Sequence, residues 1–119
     1  MTDSTDVIAR PPKQSPAANA PEPSVKSTAS LNALWATIEQ RKAERPAGSY
    51  TVELLATGQN EILKKIGEEA VEVILAAASE GDDRLLYEMA DLFYHNLVLL
   101  AARDMQFSDL EAELARRFK

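Results

Sequence analysis

The sequence predicts an all-α fold, a small helical bundle completed by homodimerisation. Three observations predict it. Apolar residues recur at helical spacing through two long segments, about 60–79 and 82–103, each bounded by cap and turn residues. No segment shows strand alternation bounded by hairpin turns. Each long helix also carries a second apolar stripe: Val71, Leu75 and Ala78 on one, Tyr87, Tyr94 and Val98 on the other. A helix apolar on two sides must be buried on both. The roughly 90 residues of residues 30–119 make only a small core, so a second copy packed across a two-fold axis is the expected cover.

Composition narrows the function classes. The net charge is −6 and no basic patch is large enough for duplex nucleic acid. No run of 18 apolar residues exists, and the N-terminus lacks the charged and apolar regions of a secretory signal. There is no cysteine. These features fit a cytoplasmic protein with neither membrane nor nucleic-acid partners.

In chain order, residues 1–29 read as a disordered tail. They hold Pro11, Pro12, Pro16, Pro21 and Pro23 among small polar residues, and few apolar side chains to offset chain entropy. The charges of Asp3, Asp6 and Glu22 cancel those of Arg10, Lys13 and Lys26, so the acidity belongs to the folded domain, residues 30–119. Ser30 is the expected N-cap of a first helix over 31–43, with Leu31, Leu34, Trp35 and Ile38 inward. Its last turn is basic, through Arg41 and Lys42, before Pro46 and Gly48 break it. Ser49-Tyr50-Thr51 opens a short helix ending near Gly58. Asn60 is the expected cap of the third helix, which Gly81 stops. Asp82 or Asp83 caps the fourth, and Ser108 to Glu111 form a capping box for a fifth, with Leu110, Leu114 and Phe118 inward.

The two long helices carry the chemistry. Glu69 with Glu72, and Glu88 with Asp91, are pairs at i, i+3 spacing, which puts each pair on one helix face with Cβ atoms about 5–6 Å apart. The turn Ser79 to Asp83 makes the helices antiparallel neighbours, so the pairs can face each other. At about 100° per residue, Ile62, Leu63, Ile66, Ala70, Val73, Ile74 and Ala77 form the inward face of the first. Leu85, Leu86, Met89, Leu92, Phe93, Leu97 and Leu100 form that of the second. The acids sit at the rims of these faces. Four hard oxygen donors without cysteine favour Mg²⁺, with Mn²⁺ the alternative, over zinc or copper. A di-iron bundle would want Glu-x-x-His on two helices. A solvated charged face is the competing reading.

The segments Ser49-Tyr50-Thr51, Lys64-Lys65-Ile66-Gly67-Glu68-Glu69-Ala70-Val71-Glu72 and Glu88-Met89-Ala90-Asp91-Leu92-Phe93-Tyr94-His95 resemble the phosphoribosyl-ATP pyrophosphatases. That family lies within the all-α, MazG-like nucleotide pyrophosphohydrolases. The resemblance covers about residue 31 to the C-terminus. It implies Mg²⁺-dependent hydrolysis of phosphoribosyl-ATP to phosphoribosyl-AMP and pyrophosphate, the second step of histidine biosynthesis. A house-cleaning nucleoside triphosphate pyrophosphohydrolase of the same superfamily, and a non-catalytic helical dimerisation module, are the alternatives. Asn96 departs from the family pattern, which is apolar there.

Under this resemblance Glu69, Glu72, Glu88 and Asp91 hold the metal. Glu69 and Glu68 are the catalytic acids, Glu68 as water-activating base or outer hydrogen-bonding group. Lys65 reaches phosphate or pairs with Glu69. Lys64 is a further substrate candidate or a solvated cation. His95 bonds Asp91 or touches substrate. Ser49, Tyr50 and Thr51 line the nucleotide pocket, with capping the competing role for Ser49 and Thr51.

Overall fold

Five α-helices span residues 27–118, the part of the chain that the computed structural model describes. Helix α1 is Ser27–Glu44, α2 Tyr50–Thr57, α3 Gln59–Ser79, α4 Asp82–Ala102 and α5 Phe107–Arg116. No strand occurs among the described residues, as an all-α fold requires. Residues 1–26 of the expected tail lie outside them. Helix α1 already runs at Ser27, so Ser30 is inside the helix and not its cap.

Helices α2, α3 and α4 follow one another with almost no slack. Gly58 alone separates α2 from α3, and Glu80 with Gly81 separates α3 from α4. Gly58 has φ 103° and Gly81 φ 98°, a backbone region that side chains with a Cβ rarely enter. Each glycine is the N-cap residue of the helix that follows, without a side-chain cap bond. The expected caps therefore fall inside the helices: Asn60 lies in the first turn of α3, and Asp82 and Asp83 in the first turn of α4. There the two aspartates still complement the helix dipole. Ser49 does cap α2, its Oγ accepting from the Val52 N–H at 3.2 Å.

The core is drawn from four helices. Trp35 and Ile38 of α1, Leu54 of α2, Ile62 of α3, and Tyr94, Leu97, Val98 and Ala101 of α4 form one buried cluster. Phe107 at the start of α5 packs on it, its ring 6.3 Å from that of Trp35. Three expectations about facing are corrected. The Tyr94–Val98 stripe of α4 is the core face, and Leu86, Met89 and Phe93 are exposed. On α3, Leu63 and Ile74 are exposed beside Val71 and Leu75. In α5 the cap is Gln106, boxed with Asp109, and only the first turn meets the core. Leu110, Leu114 and Phe118 face outward, Phe118 with 80% of its surface exposed. The physical reason on α4 is that one stripe includes aromatic groups able to satisfy buried hydroxyls, so it goes inward with the polar residues that need partners.

A tie between α1 and α4 closes the bundle. Helix α4 ends in a Schellman arrangement, with Met105 N–H bonded to Leu100 O at 2.9 Å and Asp104 N–H to Ala101 O at 3.1 Å. The left-handed position is Asp104, φ 58°, where glycine is usual. Lys42 explains the choice: its Nζ donates to Ala101 O at 2.6 Å and to Asp104 Oδ1 at 2.5 Å. The hydrogen bond and charge of Lys42 hold the Asp104 carboxyl below its usual range. A group with a lowered folded pKa contributes stability above its unfolded value, about 3.9, and loses it as pH falls through the folded value. Lys42→Met should therefore lower the melting temperature at neutral pH, with the deficit shrinking as the pH is taken below about 4. Thermal melts of both proteins from pH 7 to pH 3 check it, and a deficit independent of pH would contradict the pairing.

Candidate metal centre

Three of the predicted acids are brought together. One oxygen each from Glu69 of α3 and from Glu88 and Asp91 of α4 lie within 4.8 Å of one another. The hairpin geometry explains it: the i, i+3 pair on α4 meets the α3 acid across the seam. The acids are deeper than the sequence suggests. Glu88 and Asp91 are 2% and 4% exposed and share the core face of α4 with Tyr94, His95 and Val98. They are on that face and not at its rim, because the inward stripe of α4 is the other one. Glu69 is half-buried. Glu72, one turn along α3 and half-buried, is not in the mutually close set.

A residue that sequence reasoning passed over stands beside the acids. Arg84, in the first turns of α4, places Nη2 2.5 Å from Glu88 Oε2. Its Nε lies 3.8 Å from Glu80, and its Cζ 4.1 Å from the Tyr87 ring centroid. The i, i+4 spacing to Glu88 was the available signal.

The remaining candidates divide by depth. Glu68 is exposed and pairs with Lys65, Nζ to Oε1 3.8 Å. Lys65 thus pairs at i, i+3 with Glu68. Lys64 is exposed. His95 is buried; its Nδ1 lies 2.9 Å from Asp91 O and its Nε2 3.2 Å from Tyr50 Oη. The carbonyl can only accept, so Nδ1 carries the hydrogen, and in the neutral ring Nε2 accepts from the tyrosine hydroxyl. Thr51 is buried and its hydroxyl meets that of Tyr94 at 2.6 Å. The His95 ring packs edge-on against both tyrosines, 4.9 Å from Tyr94 and 6.0 Å from Tyr50 between centroids. Ser49 and Thr51 thus serve the cap and the α2–α4 contact, and Tyr50 is the half-buried member of the three. Asn96 is exposed on the same side of α4 as Phe93.

Fold and site define an all-α protein organised round a carboxylate cluster on a helical hairpin. The family model described as phosphoribosyl-ATP pyrophosphohydrolase matches residues 31–118. The chain is 52% identical over 87 residues to a phosphoribosyl-ATP pyrophosphatase of Lactiplantibacillus plantarum, covering 73% of this chain and 82% of that one. It is 47% identical over 89 residues to the phosphoribosyl-ATP pyrophosphatase of Haloarcula marismortui, covering 73% and 91%. It also matches the histidine biosynthesis bifunctional protein HisIE of Caldanaerobacter subterraneus subsp. tengcongensis, 44% identical over 89 residues, 75% of this chain and 43% of that longer relative. The chain belongs to the phosphoribosyl-ATP pyrophosphohydrolase family.

The Thr51–Tyr94 contact generates a test of how α2 is held beside the acids. Tyr94→Phe removes one oxygen and leaves a buried threonine hydroxyl to find another partner. It should cost about 1–3 kcal/mol, read by urea unfolding, and an unchanged unfolding midpoint would show that the bond contributes nothing.

Proposed function

We propose that this chain hydrolyses phosphoribosyl-ATP to phosphoribosyl-AMP and pyrophosphate, the second step of histidine biosynthesis, as a cytoplasmic Mg²⁺-dependent homodimer. The observation that carries the reading is the convergence of Glu69, Glu88 and Asp91 in a chain of this family. The donor set fits a hard divalent cation. Its close atoms are carboxylate oxygens, and two of the three groups are almost fully buried, where clustered negative charge is costly without a compensating cation.

Glu69, Glu88 and Asp91 would hold Mg²⁺, with Glu72 one turn beyond on α3; Mn²⁺ suits the same donors. Bound there, the ion would supply charge neutralisation for the phosphates and a more acidic water for attack on the phosphoanhydride. The protein's own residues then orient the reaction. Glu69 is half-buried and Glu68 exposed, whereas Glu88 and Asp91 are buried, so the α3 acids are the ones within reach of solvent and would take the water's proton. Lys65 and Lys64, on the outer turns of α3, meet the phosphates. His95 steadies α4 through the Asp91 carbonyl and holds Tyr50, which would border the nucleotide, with Ser49 and Thr51 holding the turn beneath. Hydrolysis releases pyrophosphate, which leaves with the charge that these cations offset.

The partner subunit has a face to cover. Leu63, Val71, Ile74 and Leu75 on α3 and Leu86, Met89 and Phe93 on α4 are exposed, Ile74 and Leu86 with 65% of their surface free. Apolar side chains left exposed along both helices support a subunit interface here. Gly67 lies along the same line of α3, and nothing would stand within 4 Å of a Cβ there, which lets a second helix approach closely. Replacing both Val71 and Leu75 with Glu should give monomers or unfolded chain in sedimentation. A wild-type chain that sediments as a monomer at micromolar concentration rules the dimer out.

The activity is tested by pyrophosphate release from phosphoribosyl-ATP beside a panel of nucleoside triphosphates. A preference for the triphosphates would assign the chain to general nucleotide clearance. Asp91→Asn should abolish turnover and the Mg²⁺-induced rise in melting temperature, which follows metal binding to the folded state. The metal-free fold should keep or slightly gain stability, since one repelling charge is removed. Near-normal pyrophosphate release by Asp91→Asn would return the acids to a structural role.

A further inference from the structure

We infer that Arg84 is a substrate-contacting residue, its Nη1 donating to a non-bridging phosphate oxygen of the bound nucleotide; this rests on the reading of Glu69, Glu88 and Asp91 as the metal site.

The guanidinium is fixed on three sides. Nη2 bonds Glu88 Oε2 at 2.5 Å, Nε faces Glu80 at 3.8 Å, and the plane stacks over Tyr87 with Cζ 4.1 Å from the ring centroid. The side chain is only 14% exposed. Its remaining arm differs: Nη1 is buried and has no hydrogen-bond acceptor among the described residues. Arginine cannot shed its proton to relieve this, and a buried unsatisfied donor is costly, more so when charged. Pairing with Glu88 alone needs Nη2 and leaves Nη1 unexplained. The acceptor that completes it must be anionic or strongly polar and must arrive next to the acid cluster.

Phosphate oxygen meets both conditions. A carboxylate offers two oxygens, so Glu88 can keep Arg84 on Oε2 and give its other oxygen to a cation. Guanidinium and cation then flank one carboxylate, and a diphosphate group spans both, the planar fork suiting phosphate geometry. Lys64 and Lys65 belong to α3, and Arg84 is the one cationic side chain within Asp82–Ala102, so it supplies the positive charge that α4 otherwise lacks beside the acids. The tie to Glu88 has a second effect. It holds that carboxylate in one orientation before either ligand arrives, so less order is lost on binding.

The experiment uses the full chain as wild type, Arg84→Met and Arg84→Lys. Inorganic pyrophosphate is titrated in saturating Mg²⁺ by calorimetry, and Mn²⁺ alone is titrated by electron paramagnetic resonance. Arg84→Met should weaken pyrophosphate binding about thirtyfold, the scale of a hydrogen bond to a charged group, and raise KM for phosphoribosyl-ATP. Mn²⁺ binding without pyrophosphate should hold or tighten, because a competing cation beside Glu88 is gone. Arg84→Lys keeps a charge for Glu88 and loses the fork. It should still weaken pyrophosphate binding, about tenfold, and it decides the matter if Arg84→Met fails to fold. The proposal is overturned if pyrophosphate affinity in the folded variants stays within about threefold of wild type, or if its loss only parallels a loss of Mn²⁺ affinity. It is overturned equally if the loss appears only as subunits separate, which would give Nη1 to a carbonyl of a second copy. Failure of the underlying site reading looks different: wild-type protein that binds no Mn²⁺ removes that reading and this proposal with it.

Discussion

Two carboxylates placed on the core face of one helix are the constraint on which the rest of this structure turns. Glu88 and Asp91 are nearly inaccessible, and a buried charge is tolerated only when compensated. Part of the compensation is local, from the guanidinium of Arg84 one turn earlier on the same helix. The consequences reach outward. Because α4 turns its acidic and aromatic stripe inward, Leu86, Met89 and Phe93 are turned to the outside. The same choice of face that buries the acids leaves these apolar side chains on the opposite side of the helix.

The aromatic stripe that accompanies the acids is also what fixes α2. Eight residues of helix contribute little core of their own beyond Leu54, yet α2 is tied to α4 through two hydroxyl contacts, Thr51 to Tyr94 and Tyr50 to His95. His95 passes the second on to the Asp91 carbonyl. A short element is thus connected, through one imidazole, to the backbone of an acid in the cluster. Networks of this kind hold geometry more than they add net stability, since each bond replaces one to water.

Much of this was legible in the sequence, and the failures have identifiable causes. The five helices, the breaks at Pro46, Gly58 and Gly81, and the meeting of Glu69 with Glu88 and Asp91 follow from spacing and turn chemistry. Which stripe of α4 goes inward did not. Leu86, Met89 and Phe93 are as apolar as Tyr94 and Val98, and periodicity cannot choose between two apolar faces. The deciding fact is that Tyr94 and His95 bring hydrogen-bonding groups whose partners, Thr51 and Tyr50, lie on another helix. Caps failed by one or two residues wherever a glycine corner took the cap position, because Asn60 and Asp82 are better capping types than the residue actually used. Arg84 was visible only as a helical neighbour of Glu88. Its importance comes from burial, which spacing does not report.

The glycine corner at Gly81 also decides when in folding the acids meet. With so short a connection, the α3–α4 hairpin is a local contact, whereas α1 must dock on residues far along the chain. Local contacts tend to form first. The mutual repulsion of Glu69, Glu88 and Asp91 therefore arises on the path to the native state, before Trp35 and Ile38 arrive to close the core. Dissolved ions that screen or bridge those charges therefore bear on the closing of the hairpin as well as on the finished fold.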